Sequence, residues 1–208
     1  MSLASLRVTA PGVLDRYCSP SGHYAFNTYD VQGDIDAPLS PSDVLMANLL
    51  SLSLRWQEVI PLFSEGVGPQ QSVRVALDVA LAELKDLPPL EAFDTYEALE
   101  DAVTSLSAAN AATVGYTNWT PTTVSKVLHR RRPQIVPLND SYVRTFYDVR
   151  STKDSAILRK ALWEDLRANG PWLTELAKTR KTTDGRPLTL LRLADILIWM
   201  HMREQAQA

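Results

Sequence analysis

The stretch Thr120–Tyr147, TPTTVSKVLHRRRPQIVPLNDSYVRTFY, constrains the fold of this chain more than any other segment. Thr120 is a strong N-cap residue, and Pro121 suits the first helical position, where its missing N–H leaves no bond unmade. A helix is therefore predicted over Pro121–Arg131. Val124, Val127 and Leu128 share one face of it. His129, Arg130, Arg131 and Arg132 gather at its C-terminus, where cations offset the negative end of the helix dipole. Pro133 ends the helix. Gln134–Leu138 then reads as a short extended bridge between two prolines, and Asn139-Asp140 opens a further helix carrying Val143, Phe146 and Tyr147.

An acid at the mouth of a helix has two uses. It can accept N–H bonds from the first turn as a cap, which typically contributes about 1 kcal/mol. It can instead face a cleft, beside helix N–H groups and arginines, and act on a water or a cation. Both readings of Asp140 stand at this level. Trp119 likewise reads either as an apolar staple ahead of the Thr120 cap or as a ring that stacks on a base. Arg130, Arg131 and Arg132 read either as a solvated helix end or as phosphate contacts.

The remainder of the chain is predicted to be helical from Ser40 onward. Ser40-Pro41-Ser42-Asp43 combines an N-cap serine, a proline at the first helical position and an acid in the first turn. Val73, Ala76, Leu77, Ala80, Leu81, Leu84 and Leu87 recur at helical spacing, and Pro88-Pro89 closes that helix. Further helices are predicted from Asp94 to about Ala112, from Ser151–Asp154 through Leu166 with a break at Asn169-Gly170-Pro171, over Trp172–Thr179, and over Leu188–Arg203. The last of these is apolar nearly all round, so it is expected at the centre. Lys178–Arg186 reads as an exposed, mobile basic loop. Residues 1–39 show no helical period and read as an extended N-terminal arm, irregular or with a short strand at His23–Asp30, ahead of a single helical domain over 40–208. The fold class is all-α.

Bulk properties exclude several functions. A net charge of −3 over 208 residues is not that of a protein coated in basic surface for nucleic acid, though it leaves room for a local patch. Cys18 is the single cysteine, so no thiolate metal site or internal disulfide can form, as expected of a cytoplasmic protein. His23, His129 and His201 are scattered without a ligand spacing, and no metal or cofactor is expected. The first thirty residues show no secretory signal, and Leu188–Met202, interrupted by Arg192 and Asp195, is too short for a bilayer, so no membrane partner is expected. No nucleophile elbow or phosphate-binding glycine loop is present. On the last helix Arg192, Asp195 and Trp199 share a face. A lone buried charge is costly, so Arg192 and Asp195 are read as an ion pair, or as groups that reach the surroundings of Asp140.

The segment Thr123-Val124-Ser125-Lys126-Val127-Leu128, followed by Asp140-Ser141-Tyr142-Val143-Arg144 with seventeen residues from Thr123 to Asp140, resembles the helix-hairpin-helix DNA glycosylase superfamily. The resemblance implies a helical bundle of that type, double-stranded DNA as partner, and hydrolysis of an N-glycosidic bond on a flipped base. Asp140 matches the catalytic aspartate. Thr122 stands where bifunctional members carry a lysine, which implies a monofunctional enzyme without strand nicking. On this reading Trp119, Thr120, Thr122, Lys126, Arg130, Arg131, Arg132 and Arg144 would face nucleic acid. The hairpin stretch Tyr116–Thr120 differs from the family in lacking its Gly-x-Gly turn, with Gly115 alone nearby. The alternative is a non-enzymatic helical module that binds a protein or a small ligand. Over its whole length the chain also resembles a family of uncharacterised bacterial proteins of about this size, through Tyr29-Asp30, the SPSDVLMANLLSL helix, the KVLHRRRPQIVPLND core and the LRxxDxxxWM ending.

Overall fold

The computed structural model describes residues 1–64 and 69–207. Its elements are α-helices and short 3-10 turns, with no strand among the described residues beyond one isolated bridge between Lys181 and Pro187. The helices are α1 (Ala10–Tyr17), α2 (Phe26–Tyr29), α3 (Pro41–Met46), α4 (Trp56–Phe63), α5 (Pro69–Glu83), α6 (Tyr96–Ala102), α7 (Thr104–Ala112), α8 (Pro121–Arg131), α9 (Ser141–Phe146), α10 (Ser155–Lys178) and α11 (Leu190–Gln207).

Where local chemistry sets an end, expectation and structure agree. Thr120 Oγ1 accepts from Thr123 N and starts α8 with Pro121 in its first turn. Ser40 and Asp43 form a reciprocal capping box on α3, and Asp140 caps α9. Leu191 to Ile198 are all buried, so α11 is the central helix, packed against α10, α9 and α1. The apolar face of α5 (Val73, Leu77, Ala80, Leu81) is buried against α7, α4 and α8.

The N-terminal segment differs from the expected extended arm. Ala10, Val13, Leu14 and Tyr17 are spaced as one helical face, all buried, and Pro11 is tolerated because it falls in the first turn of α1. His23–Asp30 holds the single turn α2 and no strand. Leu3, Leu6, Val13, Leu14 and Phe26 join the same hydrophobic core as the rest of the chain. Two other boundaries move. The helix expected from Asp94 to Ala112 divides at Val103 (φ −108°, ψ 23°) into α6 and α7, and Thr95 rather than Asp94 caps it. The break expected at Asn169-Gly170-Pro171 is absent, and α10 runs through Pro171. There the Asn169 amide donates to both the Asp165 carbonyl and its carboxylate, while Leu166 and Leu173 keep one face buried. Lys178–Arg186 is also tied down. Thr182 N donates to Arg186 O, Thr182 is buried, and Arg186 Nη2 donates to Asp30 O at 2.6 Å.

The arginine run turns inward. Arg131 clamps Asp43 with Nε at 3.0 Å and Nη2 at 2.7 Å, and Arg130 Nη1 reaches the same carboxylate at 2.7 Å. Arg130 also donates to Val31 O, Arg131 to Asp34 O and Ala37 O, and Arg132 to Leu81 O and Ile35 O. Burial works against ionisation of Asp43, but the hydrogen bonds from Arg131 and Ser40 outweigh it and hold its carboxyl below the usual range. Three arginines thus bind residues 31–43 to α8. Asp43→Ala would strand two guanidinium groups in a buried setting, and chemical denaturation should show a loss of about 3–5 kcal/mol. A loss below about 1 kcal/mol would mean that the backbone carbonyls suffice.

Candidate functional site

The corner between α8 and α9 is fixed by Asn139. Its backbone N donates to Ser125 Oγ at 3.0 Å, and its carbonyl accepts from Thr122 Oγ1 and Arg144 Nη1, each at 2.8 Å. Its side-chain amide reaches Thr152 O and Ser155 Oγ, both at 2.9 Å. This latch leaves the next residue, Asp140, little freedom. Asp140 Oδ1 accepts from Tyr142 N at 2.9 Å, and Oδ2 accepts from Lys126 Nζ at 2.8 Å. Lys126, its side chain 4% exposed, also donates to Leu50 O at 2.6 Å, just before Ser51 turns the chain with a left-handed φ of 63°. The Asp140 carboxylate is therefore both a helix cap and the partner of a buried ammonium.

Asp140 and Lys126 face a cavity of about 190 Å³. Its opposite wall is α11, where Arg192, Asp195, Trp199 and Arg203 follow one another along one helix face. Its third side is the N-terminal segment, through Tyr17, His23 and Tyr24. Arg192 is wholly buried. It donates twice to Asp30, Nε and Nη2 each at 2.7 Å, once to Asp195, and once to Tyr17 Oη at 3.1 Å. Its guanidinium also lies over the rings of Tyr17 and Tyr29. Tyr17 and Tyr24 stack with centroids 4.9 Å apart, and Trp199 meets both edge-on. Arg203 lies over Tyr24 and Trp199. The result is an aromatic pocket with ionised groups along its floor.

One guanidinium serves two carboxylates, Asp30 and Asp195, of which Asp195 lines the cavity. Burial first, then the negative charges of Asp140 and Asp30, push the Asp195 carboxyl up to about 6, against the pull of Arg192 and Lys126. Burial likewise raises the Tyr17 hydroxyl to about 12. Cys18, half-buried nearby, is pushed up to about 11 by burial and so is a poor nucleophile.

Thr122, Lys126, Asp140 and Arg144, singled out from the sequence, line one open hollow that adjoins the cavity through Lys126, Asp140, Trp199 and Arg203. The others lie elsewhere. Trp119 is 5% exposed, donates its indole N–H to Glu58 O at 3.1 Å and borders a separate hollow by α4 and α5. Thr120 is an exposed cap, and Arg130, Arg131 and Arg132 donate to acceptors within the fold, with Arg130 Nε buried and left without a partner. Arg192 and Asp195 pair with each other and also reach the surroundings of Asp140. Tyr17, Tyr24 and Asp30 had no part in the sequence-level site. The signal for Asp30 was the buried arginine itself, which required more than one acceptor. Among the described residues no group of three or more His, Cys, Asp or Glu could hold a metal, and no helix is long and apolar enough to cross a membrane.

The raised Asp195 carboxyl has a stability signature. Between its ordinary value of 3.8 and about 6 the folded chain holds a proton that the unfolded chain has released, so this group's contribution falls as the pH rises through that window. Wild type should lose stability relative to Asp195→Asn as the pH climbs from 3.8 to about 6 in urea titrations. Parallel curves would show that Arg192 keeps Asp195 ionised throughout.

No curated protein and no solved structure matches this chain. One family model matches residues 10–202, from α1 into α11, and so takes in every residue that lines the cavity except Arg203. The chain belongs to that family, DUF6308, a family of unknown function.

Proposed function

We propose that the cavity accepts a nucleobase and that Asp140 acts on its N-glycosidic bond, in a monofunctional, DNA-glycosylase-like hydrolase with duplex DNA as its partner. The observation that carries this reading is the setting of Asp140: a helix-capping carboxylate bonded to Lys126, on the rim of an aromatic cavity and of an open hollow. The pair α7–α8, joined through Gly115 (φ 91°) and Asn118 (φ 64°), supports the helix-hairpin-helix likeness. Asn118 supplies a left-handed turn where a glycine would be expected.

In this mechanism the base enters the cavity between aromatic rings and its sugar stays at the hollow, beside Asp140. The C–N bond breaks with its electron pair leaving on the base, and positive charge develops on the sugar. Asp140 stabilises that charge and takes a proton from the water that adds to the sugar carbon, while the departing base nitrogen acquires a proton from solvent. Lys126 orients the carboxylate. Arg144 and Arg203, which line the hollow, provide positive charge for the flanking phosphates. Trp119, Thr120, Arg130, Arg131 and Arg132 have no part in these contacts, since their groups serve the fold.

A specific observation favours a second reading, a non-enzymatic module for a small ligand. The most basic run of the chain is spent on internal acceptors, and the net charge is −3. In that case Asp140 is a cap and the counter-ion of Lys126, nothing more.

Base release from a panel of damaged duplexes separates the two. Asparagine caps a helix as well as aspartate, so Asp140→Asn preserves α9 and removes the charge. Wild type should generate abasic sites, and Asp140→Asn should be slower by about 10²–10⁴-fold. Duplex binding should weaken steeply as salt rises. No release from any duplex, with a flat salt response, would leave the ligand-binding reading in possession.

A further inference from the structure

The open hollow beside the cavity is positively charged, in a chain whose net charge is −3. Lys126, Arg144 and Arg203 line it, and Asp140 is the one acid among the described residues that do. Lys126 and Asp140 bond each other at 2.8 Å and offset one another, which leaves the two guanidinium groups. Unlike the arginines of the 130–132 run, these two are not spent on internal carboxylates. Arg203 makes no hydrogen bond or ion pair among the described residues, and the acid beside it in sequence, Glu204, pairs with Arg16 at 2.5 Å instead. Arg144 uses Nη1 on Asn139, and among the described residues its Nε and Nη2 have no acceptor.

Arg203 is held in place without the use of its donors. Its guanidinium carbon lies 5.6 Å from the Tyr24 ring centroid and 5.1 Å from that of Trp199. Stacking of this kind pins a planar guanidinium by its face and leaves the N–H groups of its edge available. An arginine that binds an anion ordinarily gives up rotamer freedom, and this one has given up much of it in the fold. Trp199 and Arg203 stand one turn apart on α11. Tyr142 of α9 meets the Trp199 ring edge-on with centroids 6.2 Å apart, so the helix that carries Arg144 is packed against the same ring. Two guanidinium groups from two helices therefore border one hollow. Such forks match the oxygens of a phosphate, and two of them balance the charge of a phosphate monoester.

Size divides the ligand between the two compartments. The cavity, about 190 Å³, is below the ~300–1,000 Å³ of drug-sized pockets and suits a single ring system. The hollow, about 580 Å³, receives whatever the ring carries. We propose that Arg144 and Arg203 form a phosphate subsite, and that the ligand is a nucleotide whose base fills the cavity and whose phosphate ester lies on the two arginines. This rests on the base-binding reading above and not on the hydrolytic step. Arg203 borders both compartments and so joins recognition of the ring to recognition of the phosphate. A free nucleoside monophosphate and one residue of a nucleic-acid strand supply the same phosphate chemistry.

The test titrates the whole chain calorimetrically at low salt with the common deoxynucleosides and with their 5′-monophosphates. At least one monophosphate should bind about tenfold more tightly than its own nucleoside, and that ratio should shrink as salt screens the charges. Inorganic phosphate should weaken the binding of the nucleotide and leave that of the nucleoside unchanged. Arg203→Gln removes a charge that bonds no acceptor among the described residues, so circular dichroism should show the fold retained while the ratio falls toward one. Arg144→Gln, on the other helix, should lower the same ratio, and the wild-type ratio is decisive by itself should either variant fail to fold. Given that ratio, tighter binding of a short strand or duplex than of the free nucleotide assigns the phosphate to nucleic acid, and the reverse order assigns it to a free nucleotide. Equal affinities of nucleotide and nucleoside, a ratio that survives in a folded Arg203→Gln, or no binding of any nucleotide would each overturn the subsite. Base release with a ratio of one sinks this inference alone, and a phosphate preference without base release sinks the hydrolase alone.

Discussion

The Arg192 guanidinium is the interaction on which the rest of the structure depends. It lies in the central helix, 1% exposed, and a charge there is tolerable only when it is paired and hydrogen-bonded. Asp30 takes two of its hydrogen bonds, from a residue 162 positions away in sequence, and Asp195 and Tyr17 take one each. The rings of Tyr17 and Tyr29 cover it. Tyr29 then donates its hydroxyl to the carbonyl of Lys126, the residue whose ammonium holds Asp140. One buried cation thereby connects α11, the N-terminal segment and α8, and sets the distance between the walls of the cavity. Hydrophobic burial alone is non-directional and would bring these elements together without fixing their register.

That solution has an electrostatic residue. Asp30 receives two bonds from Arg192 and Asp195 receives one. Burial, with the negative charges of Asp140 and Asp30, raises the Asp195 carboxyl against the pull of Arg192. Both oxygens of Asp140 are bonded, one to the Lys126 ammonium and one to a first-turn N–H of α9. Two acids that line one cavity are thus placed in different environments, one fully bonded and one half bonded, and different roles follow from position rather than residue type.

The parts of this fold legible in the sequence are those set within a turn or two. The Thr120 and Ser40 caps, the Asp140 start of α9 and the central place of α11 depend on contacts three or four residues away, or on the period of apolar residues along one helix. α1 has a regular period at Ala10, Val13, Leu14 and Tyr17, but it spans little more than two turns and precedes a stretch without one, so residues 1–39 read as irregular. Pro171 fails as a helix stop because Leu166 and Leu173 hold both halves of α10 on one buried face. Of the candidate site, Asp140, Lys126, Thr122 and Arg144 were legible because α8 and α9 are neighbours in sequence. Tyr17, Tyr24 and Asp30 were not, since nothing local announces that a segment at the start of the chain will cover a helix at its end.

The HRRR run shows why a charge pattern cannot by itself be assigned to a surface. Cations at a helix C-terminus are equally at home in water and in a fold that brings acceptors to them, and only tertiary structure decides. Here residues 31–43 lay an acid and several carbonyls against α8, and the arginines become its ties. Beside the cavity, the arginines on the open hollow are instead Arg144 and Arg203, which sequence alone ranks below the run of three. Both flank the cavity mouth rather than form a stripe along the molecule.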